Sequence, residues 1–149
     1  PLSCVVHSIT NSGLNLGNKG VIDPLYPRFR AYKSNSALII GAGPIGLLHL
    51  MLLKKRGAKV VVTDINANRL KNASAFGADM SVFPDGVDRA INEMTGGMGF
   101  DIVFECTGRP EVWESSVYTV RRGGTVVLFG GCPSGTKVTY DAHRPITTR

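Results

Sequence analysis

The residues best suited to chemistry in this sequence are three glycines and an acid. Gly41-Ala42-Gly43-Pro44-Ile45-Gly46 has the spacing GxGxxG and stands between an apolar run and a segment of helical period. In such a turn the first glycine permits the tight bend, and the second lets a pyrophosphate approach the backbone. The third lets helix and strand pack closely. The helix that follows offers unpaired N–H groups and a partial positive charge to the phosphates. Asp64 closes the next apolar run, eighteen residues after Gly46, where a carboxylate accepts hydrogen bonds from an adenosine ribose diol. A carboxylate there repels the 2′-phosphate of NADP, so NAD is the expected cofactor. Arg69 complicates that choice, since one helical turn on it could reach a ribose hydroxyl or a phosphate.

Two other readings of the same residues compete with this one. The first is a glycine turn that only packs tightly, with Asp64 capping the helix that starts near Asn66. The second is a methyltransferase, which also uses a glycine loop after its first strand and an acid after its second. Methyltransferases usually carry an acid just before the glycines, and here that place holds Ile39-Ile40.

The motif needs a strand, a turn and a helix around it, and the hydrophobic pattern supplies such units repeatedly. Ala37-Leu38-Ile39-Ile40 is all apolar and ends in glycine, as a strand buried on both faces should. A helix is predicted over 44–56, with Pro44 in its first turn and Gly57 just past its end. Further strands are predicted over 59–63, 80–83, 101–106 and 125–129, and further helices over 66–76, 87–94 and 111–120. This alternation predicts an α/β fold, a doubly wound parallel sheet of about five strands with helices on both faces. Residues 2–10 read as a lead-in helix and 11–36 as a long irregular loop.

A length of 149 residues fits one domain, and 43% apolar content can build its core. The longest apolar run, Ile45 to Leu53, stops at Lys54-Lys55-Arg56, well short of the roughly 18 residues of a membrane span. No membrane partner and no secretory leader are expected. Cys4, Cys106 and Cys132 are far apart, which argues against a disulfide scaffold or a local zinc site and for a reducing, cytoplasmic setting. Cys106, Cys132 and His49 read as packing residues. The net charge of +6 is lopsided, because residues 1–60 hold eight bases and one acid. No aromatic residues interleave those bases as a single-strand binding surface requires, so no nucleic-acid partner is expected.

Several stretches, in their order and spacing, carry a resemblance to a known family. They are Ile39 to Leu48, Val61 to Asp64 with Arg69-Leu70, Phe76-Gly77-Ala78-Asp79, Thr95 to Asp101, Phe104 to Gly108, and Arg122 to Gly131. With Pro1 to His7 they make the sequence resemble the zinc-dependent medium-chain alcohol dehydrogenases, closest to the polyol (sorbitol-like) and threonine dehydrogenase branch. The resemblance implies a Rossmann-type NAD-binding domain in which Gly41, Gly43 and Gly46 shape the phosphate turn. It implies that Pro44 and Ile45 lie against pyrophosphate and nicotinamide, and Asp64 and Arg69 against the adenosine ribose. Thr107, Gly108 and Arg109 would border the adenine side, while Phe129, Gly130 and Gly131 would present backbone to the nicotinamide carboxamide.

In that family zinc is held by a Cys, a His and a carboxylate from a catalytic domain lying before this segment. No catalytic or metal-ligating residue is therefore expected within this chain, and zinc is implied only for a complete family enzyme. The expected organisation is a lead-in over 1–36, the NAD-binding domain over 37–136 and a truncated tail over 137–149. The expected function is hydride transfer between NAD and a small-molecule secondary alcohol, a polyol or hydroxy-amino acid, in a homo-oligomeric parent enzyme. The alternative is a stand-alone dinucleotide-binding module without catalysis.

Overall fold

A computed structural model describes residues 2–12 and 36–141. The expectations for the long loop and for most of the C-terminal tail lie outside these described residues. The elements are α1 (Leu2–Asn11), β1 (Ser36–Ile40), α2 (Pro44–Lys55), β2 (Lys59–Thr63), α3 (Ala67–Ala75) and β3 (Met80–Val82). A 3-10 turn, Pro84–Gly86, then leads into α4 (Val87–Thr95), β4 (Phe100–Glu105), α5 (Pro110–Ser116) and β5 (Val120–Leu128).

The five strands form one parallel sheet in the order β3-β2-β1-β4-β5. The chain winds outward from β1 to β3, then returns to place β4 against the other side of β1. Between β1 and β4 the winding reverses, and at that point the loops leaving the strands' carboxyl ends diverge and open a crevice.

Strand alternation sorts the core into two layers. Ala37 and Ile39 of β1, Val60 and Val62 of β2, and Ile102 and Phe104 of β4 cluster with Val5, Ile9, Leu50, Leu53 and Ala73 from α1, α2 and α3. Leu38, Val61, Val82 and Val103 take the opposite face and meet Val87 and Ala90 of α4. Helices thus cover both faces, as the pattern predicts. Burying such aliphatic side chains stabilises the fold by about 1.5–3 kcal/mol each.

Two boundaries differ from the expectation by more than one residue. The last helix ends at Ser116 rather than 120, and the last strand begins at Val120 rather than 125. Ser115 and Ser116 each turn a hydroxyl back onto a carbonyl three residues earlier, Val112 and Trp113, and so compete with helix continuation. Beyond them Val120 already pairs opposite Phe100. Ile102 then lies opposite Thr125, so β5 spends five residues where β4 spends two. Arg121 in this bulge donates from Nε to Asp101 Oδ1 at 2.6 Å, while Asp101 Oδ2 accepts from the Ser36 amide and hydroxyl. That carboxylate fastens the amino ends of β1, β4 and β5 together.

Helix α1 is fastened to α2 through His49, which is fully buried, tilted against Phe104 and edge-on to Phe129 at centroid distances of 4.6 and 4.9 Å. Its Nδ1 faces the Ile45 carbonyl at 2.9 Å, and a carbonyl only accepts, so Nδ1 carries the proton. Its Nε2 lies 2.9 Å from the Ser8 hydroxyl, which also donates to the Val5 carbonyl at 2.8 Å. Burial lowers the His49 pKa below 6.5, against a smaller raising effect of the Ile45 carbonyl. The unfolded chain therefore binds a proton near pH 6.5 that the folded chain refuses, and stability should fall as pH drops through that value. Denaturant midpoints measured on either side of pH 6.5 should show this slope. His49→Leu should flatten it, and an unchanged slope in that variant contradicts the assignment.

Candidate functional site

The glycine turn is built by close approach. Gly41 takes φ +104°, which only glycine adopts without strain, and donates its amide to Thr63 O at 2.8 Å. A β-carbon on Gly46 would stand 1.9 Å from Gly41 O, so the third glycine lets α2 sit directly on the turn. Gly43 differs: a β-carbon there meets nothing within 4 Å among the described residues. It caps α2 without a side-chain bond, and the first bond of the helix runs from Leu47 N to Gly43 O at 2.9 Å. The first-turn amides, with Pro44 exposed beside them, thus face an open space at a helix N-terminus.

Asp64 sits at the carboxyl end of β2 and is only 7% exposed. Its Oδ2 accepts the Ala42 amide and its Oδ1 the Asn66 amide, both at 2.8 Å, which ties strand two to the glycine turn. Arg69 Nη1 lies 3.7 Å from Oδ2 on a largely exposed side chain. Asp64 is not the cap of α3. That place belongs to Asn66, whose side chain accepts from the Asn68 and Arg69 amides. The packing-only reading of Asp64 as a helix cap is corrected accordingly.

The loop after β4 closes on the same turn, and the loop after β5 closes on the loop after β4. A β-carbon on Gly41 would come within 2.9 Å of Thr107 Cγ2, and one on Gly108 within 2.6 Å of Gly131 O. Phe129 and Gly130 both donate their amides to Glu105 O at 2.9 Å, and Gly130 O accepts Trp113 Nε1 at 3.0 Å. The backbone these residues turn to the crevice therefore lacks the two amides. Arg109 pairs with Glu111 at 2.7 Å, both side chains more than half exposed. The Arg109 amide donates to the Thr107 hydroxyl at 3.2 Å, so all the expected residues are linked, directly or through one neighbour, into one group at the sheet's carboxyl edge.

Sequence reasoning missed Glu105. In the sequence it stands within the stretch Phe104 to Gly108, and its charge at the end of an otherwise apolar strand is the available signal. The carboxylate is fully buried and accepts from the Thr107 amide at 2.7 Å, from the Thr107 hydroxyl, and from the Gly108 amide at 3.2 Å. Next to it Cys106 is pushed up to about 12, by burial first and then by the Glu105 charge, so its thiol is an inert packing group. His49 likewise belongs to the core. Between Phe129 and α1 lies an open groove of about 520 Å³ lined by Ser3, Cys4, His7 and Ser8.

Among the described residues no three His, Cys, Asp or Glu side chains gather where they could hold a metal ion, and no helix is long and apolar enough to cross a membrane. The described residues do not fit a zinc centre.

A parallel sheet of this order, with a GxGxxG turn at its winding reversal and an acid ending the second strand, defines a Rossmann-type domain. The chain belongs to the zinc-binding dehydrogenase family, whose sequence pattern matches residues 44–149. It is 34% identical over 135 residues to sorbitol dehydrogenase of Ovis aries, covering 87% of this chain and 33% of that protein. It is 35% identical over 140 residues to D-altritol 5-dehydrogenase of Agrobacterium fabrum, covering 93% of this chain and 36% of the relative. The fold matches a Sinorhizobium meliloti protein described as a zinc-binding dehydrogenase and solved with NADP. That match has TM-score 0.75 and 29% identity over 97% of this chain and 39% of the other. The chain spans about a third of the length of the curated relatives it matches.

The two glycines should respond oppositely to a methyl group. Gly46→Ala forces a carbon onto a backbone oxygen and should cost about 3 kcal/mol or more of unfolding free energy. Gly43→Ala has room and should cost about 1 kcal/mol at most, the loss of a tolerable cap residue. Urea titration of both variants checks this, and equal losses contradict the close-approach geometry.

Proposed function

We propose that the crevice at the carboxyl ends of β1, β2, β4 and β5 binds a nicotinamide dinucleotide, with NAD(H) preferred over NADP(H). The observation that carries the reading is Gly43. Among the described residues it is the one glycine of the motif whose missing β-carbon clears nothing, so the clearance serves a ligand over the α2 N-terminus. Pro44, Ile45 and Gly46 then face the pyrophosphate. Each oxygen of Asp64 accepts one backbone amide and keeps lone-pair capacity for a ribose hydroxyl, while its charge opposes a 2′-phosphate. Arg69 holds that carboxylate from the solvent side. Thr107, Gly108 and Arg109 border the adenine, and Phe129, Gly130 and Gly131 the nicotinamide.

The chain is, on this reading, the dinucleotide-binding unit, over 37–136, of an oxidoreductase. The cofactor supplies a hydride acceptor at the nicotinamide ring. The protein's part is to orient that ring and exclude water from its buried side, where Ile45 and Phe129 form the wall. A secondary alcohol of the polyol class is the substrate proposed for the whole enzyme, supported by the sorbitol and D-altritol relatives. A homo-oligomeric parent in the cytoplasm belongs to the same proposal. Its support is the position of β5 at a sheet edge and the three unpaired cysteines.

Calorimetric titration with NADH and NADPH tests the reading. NADH should bind about tenfold more tightly, a difference near 1.4 kcal/mol. Asp64→Ala should narrow that ratio. Equal or tighter NADPH binding by the wild type means that Arg69 outweighs Asp64 and contradicts the preference.

A further inference from the structure

Glu105 is a fully buried charge, and no Lys or Arg among the described residues pairs with it. Desolvating a lone carboxylate costs several kcal/mol, so a chain that keeps one must surround it with donors. Those donors come from one place. Oε1 accepts the Thr107 amide at 2.7 Å and the Thr107 hydroxyl, and the Gly108 amide sits 3.2 Å from both oxygens. The turn after β4 is therefore wrapped around the carboxylate.

The loop after β5 is pressed against the same group. A β-carbon on Gly130 would come within 2.8 Å of Glu105 Oε2 and 2.2 Å of Gly108 N. The Glu105 carbonyl also accepts the amides of both Phe129 and Gly130. On its other side, Thr107 carries the effect to the glycine turn, since its methyl lies where a β-carbon on Gly41 would be 2.9 Å away. One residue thus touches two of the three loops that border the crevice and reaches the third through a single neighbour.

We propose that Glu105 is a positioning residue for the bound dinucleotide. Its carboxylate fixes the 107–109 turn against the first glycine and its backbone fixes 129–130, so both walls of the crevice keep the spacing the cofactor needs. Glu105 acts through these loops, with its side chain buried beneath them. The inference rests on reading the crevice as a dinucleotide site.

The chain carries its own reporter, because Trp113 is the sole tryptophan and its indole N–H donates to Gly130 O at 3.0 Å. The experiment titrates NADH into the full chain while following Trp113 emission, for the wild type, Glu105→Gln and Thr107→Val. Glu105→Gln keeps one acceptor but points an amide N–H₂ at the donors, and should weaken NADH binding about tenfold, as loss of charge-assisted hydrogen bonds does. It should also shift Trp113 emission before any cofactor is added. Thr107→Val keeps the methyl against Gly41 but removes the hydroxyl, and should weaken NADH binding less, by about threefold. A purely structural role would lower the melting temperature and leave the affinity of the folded fraction and the Trp113 spectrum unchanged. A folded Glu105→Gln with wild-type affinity and emission overturns the proposal. If Glu105→Gln does not fold, wild-type affinity in Thr107→Val overturns it. Failure of the wild type itself to bind NADH overturns the dinucleotide reading and this inference with it.

Discussion

Helix α2 rests on the turn before it with no side chain between them, and a single carbon at Gly46 would stand 1.9 Å from Gly41 O. That approach fixes the direction of α2 and aims its N-terminus across the carboxyl end of β1. From there the other parts fall into relation. Asp64 reaches the turn through the Ala42 amide, and Thr107 reaches it through the space beside Gly41. The sheet order supplies both neighbours, since β2 flanks β1 on one side and β4 on the other. A larger residue at Gly46 would move the helix start, and the open space at Gly43 would no longer lie over the winding reversal.

Two buried carboxylates answer each other across this crevice. Asp64 joins the second strand to the glycine turn, and Glu105 joins the loops after the fourth and fifth strands. Both are held by backbone amides, which have fixed directions and lose little conformational freedom when they bind. Arg69 approaches Asp64 from the solvent side, whereas Glu105 has no cation among the described residues. Rigid donors hold these groups where flexible basic side chains would leave slack, as a site that must keep its shape requires. At the opposite end of the sheet Asp101 works in a comparable way on Ser36 and Arg121, so both ends of the central strands are pinned.

Much of this was legible in the sequence because the pattern is strongly periodic. The all-apolar run at 37–40, Pro44 opening a helix and Gly57 closing it are local signals, and the structure follows them within a residue or so. The pairing of Gly41–Gly46 with Asp64 was also legible, since each feature has a backbone reason. The far end of the domain was harder to read. The early end of α5 depends on serine hydroxyls that compete for carbonyls, and the early start of β5 depends on a bulge that Arg121 shares with Asp101 across strands. No local pattern encodes a contact between residues 101 and 121. Glu105 escaped for a related reason. A lone acid ending an apolar strand has no evident partner in sequence, and its donors are amides, which every residue type carries.

The central claim is that the crevice over Gly43 receives a nicotinamide dinucleotide with its ribose on Asp64. A crystal structure of this chain grown with NADH tests it most directly. The account expects the pyrophosphate over the first turn of α2, an adenosine ribose hydroxyl within hydrogen-bond distance of Asp64, and the nicotinamide against Ile45 and Phe129. NADH bound elsewhere on the sheet, or a crevice occupied with Asp64 untouched, would contradict it.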